Sequence, residues 1–459
     1  MNLAGLDFER IPKFSIPMRF FFAAPLFAFI SALIIAFAGE SMWLTRWHPA
    51  TLAVTHAVVI GIISMIMCGA IFQLLPVLSG KSLPQVSLIS MLTLVSISMG
   101  TLSLMTAFLA SMFGLNSDLF FSLAGGAFTL GFGGFIGTIL WLIRQRNNVS
   151  VSINAMRLGF IAVLIVGIIA SLLLADYLFV GQFNITKKLT DSHASWGLIG
   201  WVSLVIIGVS FQVLPMFHVA PAFPVWCTRY LPVFLFSVLL LHTLLTFVIT
   251  QLTLTNTVIL QVAQSICVSL LKLGLIAYAI TAMHCLFKRK RKIKDTSVRC
   301  WFIALSCLLF CCTVSLVMSV ITTADPAAGD LLFRLGWSPL TLASVFIYGW
   351  VLSVIMAMII KIVPFLAYLH LQRQCGFHMQ AFALLPNMHT LLSKQRMQVL
   401  MYSHILSLIT LLITLYNPAY YGLLALAIIV QFGYLLGLML GVSYRYHVIA
   451  KEIDVALLT

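Results

Sequence analysis

Unbroken apolar runs of about 20 residues or more recur along this chain, separated by short stretches rich in charged and turn-forming residues. A run of that length crosses a hydrocarbon core of roughly 30 Å as an α-helix. The pattern predicts about twelve such helices, at 17–39, 50–78, 86–112, 118–143, 155–180, 192–218, 229–252, 256–287, 300–323, 334–369, 398–417 and 419–445. Apolar positions are continuous within each run and do not alternate with period two, which argues against a β-barrel. The expected class is therefore an all-α polytopic membrane protein. Acidic and basic residues precede the first run, and no small-residue cleavage site follows it, so it reads as a span rather than a cleaved signal.

Composition agrees. Of 459 residues, 62% are hydrophobic and 8% charged, against about 25% charged in soluble chains. Too few charges are present to build a water-soluble surface. The net charge of +15 is mostly a statement about topology. With the N-terminus inside, the inner segments hold Arg10, Lys13, Arg19, Lys81, Arg144, Arg146, Arg157, Arg229, the run KRKRKIK at 288–294, Arg299, Arg373, Lys394, Arg396, Arg445 and Lys451. The outer loops hold Arg46, Lys187, Lys188 and Arg334. Twenty against four places both termini in the cytoplasm by the positive-inside rule, as expected of an inner-membrane protein. Residues 288–299 and 370–397 then become cytoplasmic loops. The basic run fits a loop resting on anionic lipid better than a nucleic-acid contact, so the lipid bilayer is an expected partner and nucleic acid is not. Nine cysteines include no C-x-x-C pair. Cys300, Cys307 and Cys311 share one helix face, which fits small packing residues better than a metal stripe.

One phrase occurs three times: GAIFQLLP at 69–76, GVSFQVLP at 208–215 and AMIIKIVP at 357–364. Aligned on Pro76, Pro215 and Pro364, the copies lie 139 and 149 residues apart. Three residues before each proline stands Gln73, Gln212 or Lys361; seven before, Gly69, Gly208 or Ala357; fifteen before, Gly61, Gly200 or Gly349. The phrases close the second, sixth and tenth helices. The period is thus four helices, which predicts three like-oriented four-helix units, roughly 17–143, 155–287 and 300–445, within one transmembrane domain. Small residues at fixed places let helices approach closely. The polar member of each copy is either part of a repeated packing device or part of an internal polar cluster of Gln73, Gln212 and Lys361.

Ionisable residues inside a membrane are functional candidates. All eleven carboxylates fall in or near the loops, so no carboxylate relay or hydrolytic acid pair is expected. What remains within the spans is histidine, with Lys272 and Lys361. His56 and His193 head the second and sixth helices on their outer side. His242 stands 13 residues beyond Arg229, roughly 20 Å along a helix at 1.5 Å per residue, which brings it towards the same level. Imidazoles at one depth on three helices are candidate ligands for iron or copper. The stretch AGGAFTLGFGGFIG at 124–137 offers a glycine-rich face for a flat macrocycle, or simply for tight packing. His56 and His193 are not equivalent copies, because the 139-residue step carries His56 onto Ser195.

The stretch THAVVIGIISMIMCGAIFQLLPVLSG at 55–80 resembles the second helix of NnrS-type membrane proteins, in His56, Gly61, Gly69, Pro76 and Gly80. SHASWGLIGW at 192–201 resembles, more loosely, a later His-Ala-x-x-x-Gly helix of that family. The family is similar in architecture to the haem–copper oxidase catalytic subunit, with twelve helices in three four-helix arcs. The resemblance implies haem binding, with copper as a second cofactor, and a role in respiratory, nitric-oxide or haem and metal metabolism with a redox partner. It makes His56 a metal or haem ligand and His193 a second. The sequence departs from the family at AVTHA (53–57), where Ala57 stands in place of a Glu. No His pair occurs on the seventh helix, and no His-x-His on the tenth. Oxygen reduction with proton pumping is therefore not expected, and an enzymatic activity is left open. The competing expectation is a permease for a polar or anionic small molecule, with Gln73, Gln212 and Lys361 lining its path.

Overall fold

The computed structural model describes residues 11–145, 150–178, 188–251, 258–334 and 336–458. Asp7, Glu9, Arg10, Arg146 and Lys187, used above in reading charge, lie outside the described residues. Twelve helices among those residues are long and apolar enough to cross a membrane, and no strand occurs. Spans 1 to 6 are Ser15–Trp43, Pro49–Ser79, Val86–Ala110, Asp118–Arg144, Val151–Leu178 and Leu189–His218; spans 7 to 12 are Trp226–Ile249, Val258–Phe287, Thr296–Ala324, Pro339–Cys375, Lys394–Tyr416 and Pro418–Leu458. The chain is an integral, multi-pass, all-α membrane protein.

Three helix ends depart furthest from the expectation. Span 10 starts at Pro339, because Pro suits a first helical turn and the Ser338 side chain accepts from the Thr341 N–H as N-cap. Residues before it form a separate helix, Pro326–Arg334. Span 12 continues past Arg445 to Leu458, where Ile453 is buried with Leu371, Cys375 and Ala381. The 370–397 stretch holds the end of span 10 and two short helices, Met379–Ala383 and Met388–Leu391.

Residues Pro12–Gln73, Lys294–Ala304 and Leu352–Thr459 form one compact unit; Leu74–Ile293 and Leu305–Val351 form another. In the first, span 1 meets span 2 at glycine. A Cβ on Gly61 would stand 2.4 Å from Phe27 Cγ, and one on Gly69 would stand 2.7 Å from Phe20 Cβ. Spans 11 and 12 are tied by Ser407, whose hydroxyl donates to the Ala427 carbonyl at 3.1 Å. In the second unit, Gly159, Gly200 and Gly208 bring span 6 against span 5, where a Cβ on Gly200 would lie 2.8 Å from Ala162 Cβ. Gly100 and Gly131 do the same for spans 3 and 4, and Gly349 meets Cys307 Sγ between spans 9 and 10.

The repeated phrase has a common local fold that the sequence did not announce. Spans 2, 6 and 10 each contain an eight-residue π-helical stretch: Ala57–Ser64, Trp196–Ser203 and Val345–Leu352. Their starts are 139 and 149 residues apart, the steps found between the prolines. Each stretch carries its repeated glycine, Gly61, Gly200 or Gly349, in fifth place, and that glycine packs on the span immediately before it. Helix pairs 1–2, 5–6 and 9–10 are therefore built alike. In two copies the last residue, Ser64 or Ser203, donates its hydroxyl to a carbonyl five residues back, Val59 or Leu198, absorbing an acceptor that the wider turn loosens.

Candidate functional site

His56 closes the α-helical opening of span 2 and immediately precedes its π-helical stretch. The ring is half-buried, and its Nδ1 is 2.8 Å from the Leu52 carbonyl oxygen. A carbonyl only accepts, so Nδ1 carries the proton. In the neutral ring Nε2 is then the nitrogen with a lone pair. Metal-ligating histidines are commonly oriented in this way.

His193 stands three residues before the π-helical stretch of span 6, half-buried, against one residue for His56. The two-residue offset seen in sequence therefore persists in the helix. His242 is buried on span 7, and its Nδ1 makes no hydrogen bond among the described residues. Spans 6 and 7 are joined where Trp196 Nε1 donates to Thr243 Oγ1 at 2.7 Å. Trp196 is one turn from His193 and Thr243 adjoins His242, so these two histidines occupy the joined ends of spans 6 and 7. Among the described residues, no three of His, Cys, Asp and Glu gather into a group that could hold a metal ion. The cysteines are free thiols and mostly buried; Cys307 fills the space beside Gly349, as packing residues do.

The glycine-rich face of span 4 is divided. Gly131 packs on Ile97 and Ser96 of span 3, whereas Gly126, Gly133, Gly134 and Gly137 have no neighbour within 4 Å of a would-be Cβ. The latter face is open, not the wall of an internal slot.

The three polar members of the repeated phrase have different surroundings. Gln73 is buried, and its Oε1 has no hydrogen-bond partner among the described residues. Gln212 is half-buried. Lys361 lies 2.6 Å from an Asp295 carboxylate oxygen, with both side chains about one-fifth exposed (23% and 18%). Asp295, read from sequence as a loop residue, sits just before span 9, where its other oxygen accepts from the Ser297 N–H. The charge of Lys361 is thereby compensated by a carboxylate.

Two polar arrangements were not legible in sequence. Ser353 of span 10, His404 of span 11 and Gln431 of span 12 form a fully buried chain, with Ser353 Oγ 2.7 Å from His404 Nε2 and Gln431 Nε2 3.0 Å from His404 Nδ1. With the Gln431 amide donating to Nδ1, His404 Nε2 donates to Ser353. His404 is the eleventh residue of the 23-residue helix Lys394–Tyr416. The second arrangement surrounds Lys272. Isolated polar residues in spans 8, 11 and 12 were the available signal; which of them meet depends on how the helices pack. The sequence matches no family model and no curated protein.

Proposed function

We propose that this is a haem-binding membrane protein of the NnrS and haem–copper-oxidase-like kind, with the His56 imidazole as axial ligand. One observation carries the reading. His56 stands at the head of a π-helical stretch that recurs in three spans, at steps of 139 and 149 residues, with its Nδ1–H held by Leu52. π-Helical turns are frequent at functional sites.

The donor set fits haem better than a protein-held metal ion. Haem iron needs one or two axial ligands and accepts neutral imidazole. The Leu52 carbonyl fixes the tautomer that places the lone pair on Nε2. His193 and His242, the second ligands the sequence suggested, belong to the other compact unit, so the proposal rests on His56. A copper ion held by protein alone needs more donors than any group of described residues supplies, so copper is a secondary part of the proposal. When bound, haem would supply one-electron transfer or the binding of a small gas such as nitric oxide. This chain's own residues would hold the ligand ring and, through Phe27 on Gly61, keep water from the neighbouring turn. An inner-membrane location with both termini cytoplasmic belongs to the same proposal and rests on the Lys and Arg distribution.

The test is an absorption spectrum with metal analysis of protein purified from haem-replete cells. A Soret band that His56→Ala removes is expected. A colourless preparation without iron or copper overturns the proposal.

A further inference from the structure

Lys272 is the fifteenth residue of the 30-residue helix Val258–Phe287, far from either end. Its half-buried ammonium donates to the Ser315 carbonyl at 3.2 Å and to Ser319 Oγ at 3.1 Å, both on span 9. Ser319 Oγ in turn donates to the same Ser315 carbonyl at 2.7 Å. Those contacts use two of the three ammonium hydrogens, and both partners are neutral. No carboxylate among the described residues pairs with Lys272, in contrast with Lys361 and its Asp295. A cation at such a position is costly unless it is balanced.

The surroundings lead outward. On span 8, Gln261, Ser265, Ser269 and Lys272 lie at spacings of four, four and three, which is one helix face. On span 9, Ser315, Ser319 and Thr323 lie at spacings of four, also one face, towards the end at Ala324. Gln261, Ser265, Ser319 and Thr323 are exposed, while Ser269 and Lys272 are half-buried. Two rows of polar groups thus run, from the Val258 end of span 8 and the Ala324 end of span 9, opposite the 288–295 connection, to a positive charge with no carboxylate partner among the described residues.

We propose that Lys272, with the hydroxyl of Ser319, forms a binding site for a monovalent anion, a halide or a monocarboxylate. The free ammonium hydrogen supplies the charged contact. A single formal charge matches a single ammonium in a low-dielectric setting, whereas a divalent anion would leave a net negative charge there. Carboxylate and halide present the same acceptor chemistry, and the carboxylate can belong to a small solute or to a free fatty acid of the bilayer.

The experiment is chloride NMR line width on the full-length protein in nanodiscs of zwitterionic lipid. Saturable excess broadening is expected in the wild type and in Lys451→Met, with loss in Lys272→Met. Ser319→Ala should weaken chloride about threefold to tenfold, and Lys272→Arg should retain it. Displacement by acetate identifies small solutes as occupants; displacement by oleate and not acetate identifies the fatty-acid carboxylate. Absence of saturable broadening in the wild type overturns the proposal. So does undiminished broadening in both Lys272→Met and Ser319→Ala, and the serine variant decides if the lysine variant does not fold. The Soret band of the wild type is a separate readout, so failure here leaves the haem proposal standing.

Discussion

At the scale of single residues, what matters is whether a buried polar group has a partner. Lys361 and Asp295 have each other, and both are mostly removed from solvent. Removing one leaves a charge without its counter-ion. Lys361→Met should lower stability by about 1–3 kcal/mol, and the double variant Lys361→Met with Asp295→Asn should recover part of it; thermal melting of detergent-solubilised protein measures both. His242 is the opposite case. Its Nδ1 is buried without a hydrogen bond among the described residues, so His242→Leu should raise the melting temperature of haem-free protein, because an unsatisfied nitrogen is exchanged for apolar contact.

At the scale of elements, the repeated glycines separate tight from open faces. Gly61→Val forces a Cβ into the Phe27 ring, where the gap is 2.4 Å, and should cost about 1–3 kcal/mol. Gly126→Val, on the open face of span 4, should change stability by less than about 0.5 kcal/mol. Comparing the two melting temperatures in the same detergent tests whether glycine in this chain serves helix contact or general helix design. The buried chain across spans 10, 11 and 12 gives a second test. Gln431→Leu removes the amide that donates to His404 Nδ1 and should cost about 0.6–1.7 kcal/mol, the range for interhelical hydrogen bonds in membranes, again by thermal melting.

At the scale of the whole molecule, the twelve spans and the basic segments between them predict orientation. A fluorescent-protein fusion at the C-terminus should fluoresce and an alkaline phosphatase fusion there should be inactive, because both termini are expected in the cytoplasm. The reverse result would invert every statement about inner and outer ends. The recurrence of a π-helical stretch at the proline period gives the bundle its regularity, since each copy turns a glycine onto the preceding span.

The sequence by itself determined the membrane class, the number of spans, and the register that links Pro76, Pro215 and Pro364. These follow from local quantities: apolar run length against bilayer thickness, and identity at fixed spacing. It also pointed to His56, because a histidine ahead of a repeated glycine is visible without coordinates. Only the tertiary structure decided which polar groups meet. Asp295 is a loop residue in the structure too, but span 10 brings Lys361 to it. His404 gained its partners Ser353 and Gln431 only where spans 10 and 12 meet span 11, and Lys272, unlike Lys361, meets neutral oxygens of span 9 and no carboxylate among the described residues. Inside a bilayer every backbone group is satisfied within its own helix, so local pattern is enough to build each span. Side-chain pairing between spans depends on helix rotation and contact, which no single run of residues encodes.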